Sequence, residues 1–245
     1  MLVSALGDGR RQVGGMSSTA VVVTGAAGAL GRAVVEEFVG QGRKVIALDR
    51  AGRQLDALGQ NAADRVVIPF GVDLADRAAV TAVWRRVDEV AAPSAMVAVA
   101  GGFVGGQLAD VEPAALEAML QSNFVATLWS CQAAAPRLAA VGGGSIVTVG
   151  SKTAVSGAAP ITYATSKAAV VRLTELLAEE LRPAGVRVNA VLPSVIDTPA
   201  NRSWMSETLA RRAVPTTAIA KVIAFLCSED AWPISGAAIP VYGQS

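Results

Sequence analysis

The chain is 245 residues long, 52% hydrophobic and 17% charged, with 4% aromatics, which gives ample small aliphatic material for a buried core. A net charge of +1 offers no basic footprint for nucleic acid or an anionic membrane, and no apolar run reaches the ~20 residues a spanning helix needs. Histidine is absent, which excludes Ser-His-Asp and Cys-His nucleophiles and every His-bearing zinc site; no metal site is expected, and the chemistry falls to Tyr, Lys, Ser, carboxylates or an organic cofactor.

In chain order, residues 1–18 carry four glycines and little periodicity, and read as a flexible extension rather than a secretory leader. From Thr19 onward, short valine-rich runs alternate with amphipathic stretches through to residue 245 with no break in composition, as one domain does. Strands are predicted over 19–24, 44–49, 65–71, 95–100, 144–150, 186–192 and 237–241. Helices are predicted near 28–41, 52–60, 76–91, 113–122, 123–140, 162–183 and 215–228, the last entered through Pro215. The expected fold is α/β: a single doubly wound, Rossmann-type parallel sheet of about seven strands with helices on both faces. Cys131 and Cys227 fall in predicted helices among apolar neighbours and read as free thiols of a cytoplasmic protein.

In such a sheet, ligands bind beyond the carboxyl ends of the strands, so the residues that follow each strand matter most. The first strand runs into Thr24-Gly25-Ala26-Ala27-Gly28-Ala29-Leu30-Gly31 and then a helix. Glycines at 25, 28 and 31 permit a tight turn, approach of backbone to a pyrophosphate and close helix packing, although such turns also occur for structure alone. No Lys-Ser/Thr follows, so nucleoside triphosphates fit poorly. Asp49 ends the second strand, where a carboxylate either accepts the adenosine ribose hydroxyls or caps the next helix. Arg50 beside it suits a 2′-phosphate, but Asp49 holds the strand end itself, so NAD is expected over NADP. Asp73-Leu74 after the third strand is placed to meet adenine, with Asp73 or Asp76 as the alternative helix cap. Ala100-Gly101-Gly102 after the fourth lets a cofactor lie flat on the backbone.

The fifth strand ends in Gly150-Ser151, and Tyr163-Ala-Thr-Ser-Lys167 opens the long helix after it. A spacing of four puts Tyr163 and Lys167 on one helical face, where an ammonium is expected to lower the phenol's pKa toward working pH; the bland alternative is a solvated helix pair. Ser151 is placed to hydrogen-bond a substrate oxygen.

Together these residues resemble the short-chain dehydrogenase/reductase family over about 19–245. The resemblance implies hydride transfer between NAD(H) and a carbonyl or secondary alcohol, with Tyr163 moving the proton, Lys167 binding the nicotinamide ribose, and Ser151 orienting the substrate. It further implies that Asn123, at a break between two helices, holds a relay water, and that Pro193, Ile196 and Thr198 meet the carboxamide and phosphates. Residues 194–212 become a substrate lid, with Trp204 and Met205 as pocket residues. The chain departs from the family pattern at Ala29, where the turn usually has Gly. It departs again at Ala98-Val99-Ala100-Gly101, where Asn-Asn-Ala-Gly is usual, and at Pro193-Ser194 in place of Pro-Gly. GALG, VAGGFVGG and LPSVIDTPANR look locally like the dihydropteridine reductase branch. The substrate stays open among an oxoacyl thioester, a steroid, a sugar-like alcohol and a quinonoid pterin. The competing function is a dinucleotide-binding sensor without turnover, against which Tyr163, Lys167, Ser151 and Asn123 all stand. The long Ala-rich helices around Asn123 and Tyr163 suggest a homodimer or homotetramer.

Overall fold

The computed structural model describes residues 19–60 and 66–244; the expected extension 1–18 lies outside them. Its main sheet has seven strands, all parallel: β1 (Thr19–Thr24), β2 (Lys44–Asp49), β3 (Val67–Gly71), β4 (Ala92–Ala98), β5 (Gly144–Val149), β6 (Val186–Pro193) and β9 (Ala238–Val241), in the spatial order β3-β2-β1-β4-β5-β6-β9. The chain therefore reverses direction across the sheet between β1 and β4, which opens a crevice at their carboxyl ends. Intervening helices are α1 (Ala29–Gly40), α2 (Arg53–Gln60), α3 (Arg77–Val90), α4 (Pro113–Met119), α5 (Ala126–Ala140), α6 (Ile161–Leu181), α7 (Pro199–Arg202), α8 (Glu207–Arg212) and α9 (Thr216–Leu226).

Strand side chains alternate between two cores, as the pleat requires. Val21, Val23, Val45 and Val97 pack with Val34 and Phe38 of α1 and Ile219 and Ile223 of α9. Val22, Ile46, Leu48 and Met96 pack on the other face with Trp84 of α3 and Leu138 of α5. Burying each such side chain contributes roughly 1.5–3 kcal/mol before chain entropy is counted. Both faces being covered explains why the strands read as valine runs without alternation.

Most boundaries fall within two residues of the sequence reading, and three features depart further. β4 begins at Ala92 and ends at Ala98 rather than spanning 95–100. Pro93, which argues against a strand, is tolerated because the ladder with β5 starts only at Ala95 and the register with β1 shifts beside it. Between α4 and α5 there is no break: Leu120–Val125 is a π-helical turn that joins them, so the expected gap at Asn123 is a local widening of one continuous helix. Inside 194–212 a two-residue strand β7 (Ile196–Asp197) pairs with β8 (Val214–Pro215), too short to leave a pattern in sequence. Cys131 and Cys227 are free, and burial pushes both thiols up to about 12.

Candidate active site

A cleft of about 1160 Å³ lies over the crevice between β1 and β4. Of the residues expected to bind a dinucleotide, Gly25, Ala27, Gly28, Leu30, Gly31, Asp49, Arg50, Asp73, Leu74, Ala100, Gly101 and Thr198 line it. The glycine turn is backbone packed on backbone. Gly25 has φ +66°, and a Cβ there would stand 2.6 Å from the Ala100 backbone; a Cβ on Gly31 would run into the Gly25 carbonyl. Gly28 N-caps α1 without any side-chain hydrogen bond, and Gly28 and Ala29 are exposed, so the helix presents its first N–H groups to the cleft. Ala29 replaces the family glycine at a position open to solvent, where a methyl group is tolerated.

Asp49 does not cap α2. Its carboxylate accepts from Ala27 N at 2.9 Å and from Arg50 N at 2.7 Å, tying the end of β2 to the turn. Asp76 is the cap of α3, accepting from Ala78 N and Ala79 N, while Asp73 accepts from Ala75 N inside the preceding turn. Arg32 and Arg53, which the sequence reading missed, line the cleft with Arg50. Arg32 is fixed by donating to the Ala27 carbonyl at 2.9 Å. A tight turn, an uncapped helix start and cations beside a strand-end carboxylate are what a dinucleotide's phosphates and ribose require, so the residues present fit that cofactor.

Of the expected catalytic side chains, Asn123 and Lys167 lie directly behind Gly101, while Tyr163 pairs with Ser151; none of the four lines the cleft itself. Lys167 is buried and donates to the Val149 carbonyl at 2.8 Å; a Cβ on Gly101 would lie 3.2 Å from its Nζ. Cleft and lysine are therefore one backbone apart. Ser151 begins a 3-10 turn at Lys152–Ala154, its Oγ accepting from Thr153 N and sharing a 2.8 Å hydrogen bond with Thr153 Oγ1. The same hydroxyl lies in hydrogen-bonding reach of the Tyr163 phenol and pulls its pKa down, but burial acts more strongly and holds Tyr163 above its ordinary value. Burial also lowers Lys167 to about 8. This corrects the expectation that the ammonium lowers the phenol: desolvation penalises both charged forms, and the ammonium is engaged by Val149.

Asn123 is fully buried, and its side chain bonds to protein. Oδ1 accepts from Gly102 N at 2.9 Å, while Nδ2 donates to Gly102 O at 3.2 Å and to Ser166 Oγ at 2.9 Å. Ser166 in turn donates to the Tyr163 carbonyl at 2.8 Å. The amide thus clamps Gly102 to the Tyr163 helix, with both Nδ2 hydrogens used and one Oδ1 lone pair remaining. Its backbone carbonyl accepts from Thr127 Oγ1. Phe103 follows, its ring 5.0 Å from that of Tyr163 and edge-on at 68°. Nothing in sequence marked Phe103 or Ser166.

Pro193 is buried at the end of β6, and Ile196 packs on the sheet core through β7; neither lines the cleft. Thr198 N-caps α7 through Asn201 N, and Trp204 and Met205 follow that helix, with Trp204 exposed. Among the described residues there is no cluster of three or more potential metal ligands and no helix long and apolar enough to cross a membrane.

Comparison with known proteins accords with this geometry. Residues 19–209 match the model of the short chain dehydrogenase family. The chain is 31% identical over 224 residues to D-xylose 1-dehydrogenase of Caulobacter vibrioides, covering 86% of this chain and 89% of that one. It is 31% identical to D-threitol dehydrogenase of Mycolicibacterium smegmatis, covering 91% and 90%. A crystal structure of a short-chain dehydrogenase/reductase from Burkholderia thailandensis superposes with a TM-score of 0.85 at 29% identity, covering 94% and 92%. The parallel sheet, the glycine turn and the Tyr-Lys helix thus define an NAD(P)-dependent oxidoreductase acting between CH–OH and C=O groups. The chain belongs to the short-chain dehydrogenase family.

Proposed function

We propose that this protein transfers hydride between NAD(H), in preference to NADP(H), and a secondary alcohol or carbonyl, with Tyr163 as the general acid/base. The observation that carries the reading is that Lys167 lies directly behind Gly101, which lines the cleft, on the same helix as Tyr163, whose phenol is in hydrogen-bonding reach of Ser151. The bound dinucleotide supplies or accepts the hydride. In reduction, Tyr163 gives its hydroxyl proton to the substrate oxygen; in oxidation, it takes that proton back. Ser151, oriented by Thr153, holds the same oxygen. Lys167, anchored by Val149, faces the ribose side through Gly101, and Asp49 favours a free ribose 2′-hydroxyl.

Arg32, Arg50 and Arg53 leave room for some NADP(H) use. Two of the relatives named above are, by name, D-xylose and D-threitol dehydrogenases rather than pterin reductases, which weakens the pterin likeness of the local strings. We also place the protein in the cytoplasm, in keeping with its two free thiols, and as a homodimer or homotetramer. Leu176 and Ile161, half exposed on α6, support association; light scattering after size exclusion tests it, a monomer being the contrary result.

The functional test is fluorescence titration with NADH and NADPH, followed by turnover of alcohols with the parent and Tyr163→Phe. Tighter NADH binding that survives Tyr163→Phe, with turnover lost, is the expected outcome. A folded protein that binds neither dinucleotide would overturn the reading.

A further inference from the structure

We infer that Phe103 is a specificity-determining residue, and that the preferred substrate carries an aromatic or extended apolar group beside its reacting carbon rather than a chain of hydroxyls. The inference rests on the reading of Tyr163 as the proton-transferring group. Phe103 touches the Tyr163 ring edge-on at 5.0 Å and yet is 62% exposed, so one large apolar surface stands uncovered next to the reacting hydroxyl. Scattered exposed hydrophobics need no explanation. This one is held in place: the Asn123 amide pairs with both backbone groups of Gly102, and Ser166 links that amide to the Tyr163 carbonyl. The residue before Phe103 is thereby fixed to the helix that carries Tyr163.

The flanking segments supply little to recognise a polyol. Residues 101–109 (GGFVGGQLA) and 153–161 (TAVSGAAPI) contain no charge, and expose Leu108, Val155 and Ile161. The Thr153 hydroxyl is committed to Ser151, and the nearby Lys152 ammonium lies 5.0 Å from the Tyr242 ring. Gln107 and Ser156 are the polar side chains that remain in these segments. A polyhydroxylated substrate brought against them would lose water contacts with only Gln107 and Ser156 to replace them, whereas a flat apolar group would cover Phe103.

The test measures kcat/KM for 1-phenylethanol and for galactitol with saturating dinucleotide, in the parent, Phe103→Ala, Phe103→Tyr and Tyr163→Phe. The parent should favour 1-phenylethanol by at least about tenfold, on the scale by which apolar sites discriminate. Phe103→Ala should lower kcat/KM for 1-phenylethanol about thirtyfold, mainly through KM, as loss of one aromatic face predicts. Phe103→Tyr should restore most of it, galactitol should change less than about twofold, and NADH affinity should stay at the parent value. Galactitol as the better parent substrate, or an equal loss for both substrates in Phe103→Ala, would overturn the inference. If galactitol alone turns over and Tyr163→Phe abolishes that, this inference fails while the proposed function stands. If NADH binds and neither alcohol reacts, both fail.

Discussion

Thr24 is 1% exposed at the end of β1, and its hydroxyl has no hydrogen-bond partner. Its register neighbours are Leu48 on β2 and Ala98 on β4, and Ala98 stands where the family pattern has Asn. A buried hydroxyl left unpaired costs about 1–3 kcal/mol, whereas an isosteric methyl costs nothing of the kind. Thr24→Val should therefore raise stability by about 1 kcal/mol, or about 2–4 °C in Tm for a chain of this size. Ala98→Ser, which puts a hydroxyl on the adjoining register position, should stabilise the parent relative to its effect in Thr24→Val. The coupling in that double-mutant cycle should reach about 0.5–1.5 kcal/mol. The assay is urea unfolding of the four proteins followed by circular dichroism. A Thr24→Val protein destabilised by about 1 kcal/mol or more would refute the reasoning, because the hydroxyl would then be making an interaction in solution that no group around it provides.

Gly31→Ala forces a Cβ into the Gly25 carbonyl and to 2.8 Å from Ala26 Cα, so dinucleotide affinity measured by fluorescence should fall at least about a hundredfold; parent-like binding would show the turn to be dispensable. Because burial holds the Tyr163 phenol above its ordinary value of 10.0, alcohol oxidation, which needs the phenolate, should keep rising with pH through 9 and past 10, while carbonyl reduction stays flat there. An oxidation profile that levels off by about pH 8 would contradict this. Arg187 donates to the carbonyls of Leu226, Ser228 and Ala231 at and just after the end of α9, and Arg187→Met leaves all three without that donor. Thermal melts should show a loss of about 2–3 kcal/mol, or about 5–10 °C, with dinucleotide affinity unchanged.

What the sequence made legible was local. The glycine turn, the strand-end Asp49 and the Tyr163–Lys167 spacing are each written within a few consecutive residues, and their positions relative to strands follow from valine runs that two-sided burial imposes. What escaped depends on segments distant in sequence. Phe103 and Tyr163 are 60 residues apart, and no periodicity links a loop after β4 to a helix after β5. The π turn at 120–125 differs from an α-helix only in hydrogen-bond register, and its composition matches the helices on either side. The direction of the Tyr163 shift depends on how deeply the phenol is buried, which spacing cannot report. The Arg32 guanidinium folds back on the Ala27 carbonyl, a contact that the spacing of polar residues along a helix does not encode.

The bond from Ala27 N to the Asp49 carboxylate bears on any attempt to exchange one dinucleotide for the other. On the proposed reading, the side chain that would screen the ribose also braces the loop that would carry the pyrophosphate, so selectivity and grip would share a single strut. Removing the carboxylate to admit a 2′-phosphate slackens the loop at the same stroke, and the redesigned protein would discriminate less because it holds both dinucleotides less firmly. A successful exchange has to supply a new acceptor for Ala27 N before it touches Asp49.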